Sequence, residues 1–112
     1  MTDLEQNLVQ HVVENLVREF SIERIILFGS RARGDGDEDS DYDFLVVMKT
    51  DVKPSRRGVV VRQKGLIPGV PMDFMVRTPD EWSRGFPLKK EIVVEGEVVF
   101  ERRDQSVAYE GT

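Results

Sequence analysis

Three aspartates and a glycine–serine pair are the residues of this sequence best placed to do chemistry. Asp41 and Asp43 stand two apart where an apolar run begins, in Ser40-Asp41-Tyr42-Asp43-Phe44-Leu45-Val46-Val47. Side chains two apart on a strand share one face. Two ionised carboxylates side by side repel unless a positive charge lies between them. A divalent cation with oxygen ligands answers that need: magnesium takes one or two carboxylates and fills its shell with phosphate oxygens and water. Asp73 is the one acid in the apolar run Pro71-Met72-Asp73-Phe74-Met75-Val76. A lone acid there is costly unless it is paired or binds metal. If the two runs are neighbouring strands, Asp73 joins Asp41 and Asp43. Three carboxylates could then hold two metals, one orienting a triphosphate and the other activating a hydroxyl for in-line attack.

The phosphate end falls to Gly29 and Ser30, which follow the apolar run Ile25-Ile26-Leu27-Phe28. Glycine lets a backbone approach a phosphate closely, and amides exposed at such a turn attract anions. The Ser30 hydroxyl can add a hydrogen bond. Arg31 and Arg33 come next. They can pair with phosphate oxygens, or with the acidic residues that follow them. Of those, Asp35, Asp37, Glu38 and Asp39 read as a solvated loop.

The elements that must position these residues follow from periodicity. Leu4, Leu8, Val12, Leu16 and Phe20 recur every four residues with Val9, Val13 and Val17 beside them, one apolar stripe at helical spacing. Thr2 and Glu5 fit a capping box, and the helix should stop near Phe20-Ser21. Ile25–Phe28 is a short buried strand. Ser30–Arg33 can form one helical turn before Gly34, and residues 34–40 form a loop. Tyr42–Met48 is a second strand and Pro71–Val76 a third. Between them, 49–69 is basic, with Arg56, Arg57, Arg62 and Lys64. It reads either as a short helix or as a strand around Val59–Val61, and its charges as a solvated face or a docking surface for an acidic partner. Pro79 with Asp80 and Glu81 starts a short helix. Leu88–Val94 is another, Gly96 breaks it, and Glu97–Glu101 alternates as a final strand. The order is α-β-(turn)-β-(α or β)-β-α-β, an α+β (α/β) chain whose mixed sheet is flanked by helices. One domain over 1–103 and a flexible tail over 104–112 are expected.

Composition narrows the function further. The 112 residues suit one domain. No apolar run nears the roughly 18 residues of a membrane span, and the first residues do not read as a signal peptide. The lack of cysteine suits a reducing cytosol, so a cytoplasmic location is expected. The net charge of −5 argues against direct nucleic-acid binding through a phosphate backbone. His11 reads as structural or exposed, and Trp82 and Tyr109 as packing or tail.

Gly29-Ser30, Asp41-x-Asp43 and the later Asp73 resemble the motif of the DNA polymerase β-like nucleotidyltransferase superfamily. The fuller run Phe28-Gly-Ser-Arg-Ala-Arg-Gly34, with Ser40–Val47, is similar to its smallest branch. These are the minimal nucleotidyltransferases (MNT domains) often encoded beside HEPN ribonuclease toxins. The resemblance covers roughly residues 4 to 101. It implies the polymerase β-like fold and a triphosphate on Gly29 and Ser30, with ATP as substrate and Arg31 and Arg33 beside the phosphates. It implies Asp41 and Asp43 as magnesium ligands, with two ions, and Asp73 as the third carboxylate, helping to activate the attacking hydroxyl. The implied activity is a protein adenylyltransferase that silences a HEPN toxin partner by placing AMP on a tyrosine, as its antitoxin. The alternatives are an antitoxin that acts by contact alone, or a transferase acting on a small molecule such as an aminoglycoside. A homo-oligomer remains open, and nothing in the sequence reads as a contact that selects the base.

Overall fold

The structure is a computed structural model and describes residues 1–102. Helix α1 (Asp3–Glu19) opens on the expected capping box. Glu5 N donates to Thr2 Oγ1 (3.1 Å), and Thr2 N donates to Glu5 Oε1 (2.8 Å). Its buried face is Val9, Val12, Val13 and Leu16, the i, i+3, i+4, i+7 spacing of a helix on a core. All four belong to the apolar stripe that the sequence suggested, whose ends are more exposed. Leu4 is 77% exposed, because the first turn carries it past the packed region.

Strand β1 (Ile22–Phe28) begins three residues earlier than Ile25. Glu23 and Arg24 hid that start, but they sit at a register irregularity and stay partly exposed. A helical turn, α2 (Ser30–Arg33), leads through the loop into β2 (Tyr42–Met48). The ambiguous segment is a helix, α3 (Pro54–Gly65), with proline in its first turn where no intrahelical donor is lost. Then come β3 (Met72–Arg77), α4 (Pro79–Arg84), α5 (Lys89–Glu95) and β4 (Glu97–Glu101). Thr78 and Glu81 form a second capping box at α4.

The four strands lie in the order β3-β2-β1-β4. β1 runs antiparallel to β2 and β4, and β2 runs parallel to β3, so the sheet is mixed, as expected. Central β2 is buried on both faces. Tyr42, Phe44, Val46 and Met48 face the larger core with α1 and α3, which holds Leu16, Val61 and Val76. Leu45 and Val47 face a smaller one with Ile26, Ile92 and Trp82. Gly65 belongs to the larger packing. A Cβ there would lie 2.8 Å from Leu16 Cδ2 and 3.1 Å from Phe74 Cζ, so a glycine lets α3, α1 and β3 meet.

One arginine of the basic segment faces inward. Arg57 is 7% exposed; its Nε donates to Val52 O (3.0 Å) and its Nη1 to Glu81 (2.8 Å). Arg62 is exposed, though its Nη1 donates to Met72 O (2.5 Å), one residue before Asp73. The reading of this segment as a solvated or docking face is therefore corrected at Arg57. Lys64 pairs on the surface with Glu19 (3.6 Å). Among the described residues no helix is long and apolar enough to cross a membrane. The expected domain end at Arg103 and the tail over 104–112 lie outside the described residues.

Leu16 is fully buried between α1, α3 and β3. Replacing it with alanine should cost about 2–5 kcal/mol in urea unfolding. A loss under about 1 kcal/mol would mean that this face does not anchor α1 to the sheet.

Candidate active site

The site lies where one strand leaves the sheet and two enter it. The register is Phe28 opposite Asp43 across β1 and β2, and Asp43 beside Asp73 across β2 and β3. Strands in a sheet lie roughly 4.8 Å apart, so these two carboxylates rise from adjacent points of one edge. By alternation Asp43 and Asp73 share the face of Leu45 and Met75, the smaller-core side. Asp41 stands one residue before β2 begins, and both Asp41 and Asp73 are exposed, while Asp43 is partly buried.

Gly29 bears directly on Asp43. Its φ of +78° is strained for a residue with a side chain. A Cβ there would also collide with Asp43 Oδ2. The carboxylate thus lies against the bare backbone of the turn that the sequence singled out. The turn closes as Ala32 N and Arg33 N both donate to Gly29 O (3.1 Å each), and Gly34 N to Ser30 O (2.9 Å). Gly34 itself is left-handed, with φ +86°.

Burial is the main cause that pushes the Asp43 carboxyl above its ordinary range, and the charges of Asp73 and then Asp41 push it the same way. Arg33 opposes them. The charges of Asp73 and Asp41 thus reach Asp43. Among the described residues no three acidic or histidine side chains converge closely enough to hold a metal ion, so the expected convergence of Asp41, Asp43 and Asp73 on one cation is not seen.

The two arginines are in different situations. Arg33 is 40% exposed at its side chain and pairs with Asp35 (3.1 Å) and Glu95 (3.7 Å). The hydrogen bond to Asp35 leads the causes that raise its pKa, and the charge of Asp43 is among them. Arg31 is held by Ser40 O, Glu38 O and Glu5, with its guanidinium 4.4 Å from the centre of the Tyr42 ring. Arg33 thus takes the acidic-loop pairing that the sequence left open, whereas Arg31 bonds loop carbonyls and pairs with Glu5 of α1. A cleft of about 500 Å³ opens beside the turn, lined by Thr2, Glu5, Ser30, Arg31, Arg33 and Gly36 among others. The three aspartates are not part of its wall. Gly36 crosses close to Ser30, since a Cβ on it would lie 3.0 Å from Ser30 Oγ. Sequence reasoning missed Glu5 and Tyr42 as neighbours of the site. Alternation in β2 puts Tyr42 opposite in direction to Asp43, but no local signal links Glu5 to Arg31, 26 residues on.

A mixed sheet whose edge gathers carboxylates beside a glycine–serine turn defines a nucleotidyl-transfer scaffold. Residues 9–99 match the nucleotidyltransferase domain family, and the chain belongs to that family. A provisionally assigned protein adenylyltransferase of Methanocaldococcus jannaschii is 61% identical over 28 residues, 25% of this chain and 28% of that protein. The match thus spans less than a third of that relative's length. A provisionally assigned nucleotidyltransferase of Sulfolobus solfataricus has a similar structure, with 28% identity, a TM-score of 0.64, and coverage of 87% of this chain and 80% of that one. A toxin–antitoxin structure with AMP-PNP has a chain of the same fold. There the identity is 19%, the TM-score 0.60, and the coverage 88% of this chain and 74% of that one.

A raised carboxyl pKa means that the folded protein holds the Asp43 proton more tightly than the unfolded chain does. The stability this contributes is present below the unfolded value and is lost as pH rises through the folded one. In metal-free buffer, Asp43→Asn should therefore raise Tm by a few degrees at pH 7. The gain should shrink as pH falls toward the ordinary aspartate range, near 3.9. Thermal scans at pH 4 and pH 7 check this, and a gain that is the same at both would contradict it.

Proposed function

We propose that the domain is a magnesium-dependent adenylyltransferase that moves AMP from ATP onto a hydroxyl of a partner protein. The observation that carries the reading is the pairing of Asp43 with Asp73 while the Asp43 carboxylate lies on Gly29. It joins the carboxylate set to the glycine–serine turn in one place. Family membership supports the reaction class, and the name of the Methanocaldococcus relative supports a protein as acceptor.

In this reading Gly29 and Ser30 hold the triphosphate, and Arg33, exposed and near Asp43, adds charge to its oxygens. Asp41, Asp43 and Asp73 are the residues that would hold magnesium, as two ions, once the triphosphate supplies the remaining ligands. When bound, the metal neutralises phosphate charge and favours ionisation of the acceptor hydroxyl. The acceptor oxygen attacks the α-phosphorus in line, the bond from that phosphorus to the bridging oxygen breaks, and pyrophosphate leaves. Asp73, exposed at the sheet edge, takes the hydroxyl proton. Gly29 and Ser30 keep the α-phosphorus aligned with the attacking oxygen, which gives much of the rate.

Asp41 and Asp73 face solvent, which suits an acceptor carried in by a macromolecule. A HEPN-type ribonuclease toxin with an acceptor tyrosine is the partner we propose, with the domain acting in the cytoplasm as its antitoxin. The fold shared with a toxin–antitoxin chain agrees with that assignment. Incubating the HEPN protein encoded nearest to this chain with the domain, ATP and magnesium should add one AMP to a tyrosine, read by intact-mass and peptide mass spectrometry. Asp41→Asn should abolish the addition while leaving the complex intact on gel filtration. An unmodified toxin whose ribonuclease is nonetheless fully inhibited would favour the contact-only antitoxin and refute the transfer.

A further inference from the structure

The donors of Arg31 are taken up by the protein itself. Its Nε donates to Ser40 O and its Nη2 to Glu38 O, each at 3.1 Å. Its Nη1 donates to Glu5 Oε2, also at 3.1 Å. The guanidinium covers the Tyr42 ring at 4.4 Å, and the side chain is only 12% exposed. Tyr42 and Asp43 are consecutive on β2, so their side chains point to opposite faces of the sheet. Tyr42 packs in the larger core with α1. A guanidinium stacked on its ring therefore lies on the α1 side, behind the strand that carries Asp43. Reaching a phosphate at the carboxylates would require Arg31 to give up three hydrogen bonds, one of them an ion pair, and a cation–π contact.

We infer that Arg31 is a positioning residue: it clamps the loop end Glu38–Ser40 to the first turn of α1, and so fixes where Asp41 stands. Each half of the clamp is held independently. Glu5 is anchored by the capping box, since its carboxylate accepts from Thr2 N (2.8 Å) while its own amide donates to Thr2 Oγ1. The Ser40 end is anchored by Asp37, whose amide donates to Ser40 Oγ (2.9 Å) and whose carbonyl accepts from Ser40 N (3.1 Å). Arg31 links the two through a planar fork with fixed directions, which a lysine cannot reproduce. The next residue after Ser40 is Asp41, and Tyr42 N then donates to Pro71 O (3.0 Å), where β2 meets the chain entering β3. Asp41 is thus held between the clamp and the sheet, without a strand of its own to fix it. The N-terminus of α1, which the transfer reaction does not use, becomes part of the frame of the site.

The inference rests on the proposed placement of metal and nucleotide, and its test separates the two. The probe is manganese with AMP-PNP, titrated calorimetrically, with amide hydrogen exchange of the nucleotide-free protein as a second readout. Arg31→Gln and Glu5→Ala should each weaken binding at least threefold and speed exchange across residues 37–42. The double variant should be no worse than Arg31→Gln alone, because both substitutions break one link. Arg31→Lys should behave like Arg31→Gln. Lys64→Ala, which removes only a surface pair with Glu19, should bind the probe within twofold of the parent. If Glu5→Ala binds normally while Arg31→Lys rescues Arg31→Gln, Arg31 is a phosphate ligand and the clamp is refuted. If Asp43→Asn binds the probe as the parent does, the nucleotide reading fails. The clamp then stands or falls on the exchange data, where unchanged rates in Arg31→Gln overturn it.

Discussion

A carboxylate held against bare backbone sets the terms for the rest of this site. Asp43 sits where residue 29 can have no side chain, and beside two further aspartates that resist its ionisation. Folding gains nothing from crowding these charges, and like charges at close range cost stability. The arrangement makes sense when a cation and a polyanion complete it. Gly29 then has two reasons to be glycine: a positive φ and a neighbour that fills the space of its Cβ. The same strand order that brings Phe28, Asp43 and Asp73 into one register makes the sheet edge the only place where turn and carboxylates can meet.

The sheet divides work between its faces. On one side Tyr42, Phe44 and Val46 join α1 and α3 in the larger core, and Phe44 stacks on Phe74 with ring centres 5.4 Å apart. On the other, α4 and α5 cover a smaller cluster around Leu45 and Val47, and the carboxylates emerge at its rim. Because neighbouring residues of β2 alternate between the faces, scaffold and chemistry are interleaved one residue at a time. Arginines of α3 serve the scaffold, one of them, Arg57, buried. Arg57 joins α3 to the α4 cap through Glu81. Thr78's backbone hydrogen bond, with help from Arg57, keeps the Glu81 carboxyl below the usual range. Arg62 reaches the carbonyl just before Asp73.

Much of this was legible in the sequence because the signals were local. The Thr2–Glu5 cap, the glycine–serine turn after an apolar run, and the apolar Tyr42–Met48 strand each fall within a few residues. What stayed illegible depends on distant partners. Val59–Val61 looks the same in a helix and in a strand, and Gly58 and Gly65 look like breaks. Gly65 is instead a contact point for Leu16 and Phe74, and a Cβ on Gly58 would lie 3.0 Å from Phe74 O. Four-residue spacing suggested that Leu4 was buried, but periodicity does not say where the sheet ends beneath a helix. The basic residues of α3 read as surface because nothing nearby announces Glu81 or the Met72 carbonyl. Arg31 sits beside a phosphate-binding motif in sequence, yet its partners lie at Glu5 and across the loop.

The central claim is that Asp41 and Asp43 create an electrostatic deficit that magnesium and ATP fill. Thermal unfolding with and without magnesium–ATP tests it most directly, using the parent and the Asp41→Asn/Asp43→Asn double variant. A ligand that binds only the folded state stabilises it, by about 2.7 kcal/mol at a hundredfold excess over Kd. The parent should gain several degrees. The double variant should be folded, at least as stable without metal, and unresponsive to magnesium–ATP. A double variant that gains as much as the parent would show that the metal and nucleotide bind elsewhere or not through these carboxylates.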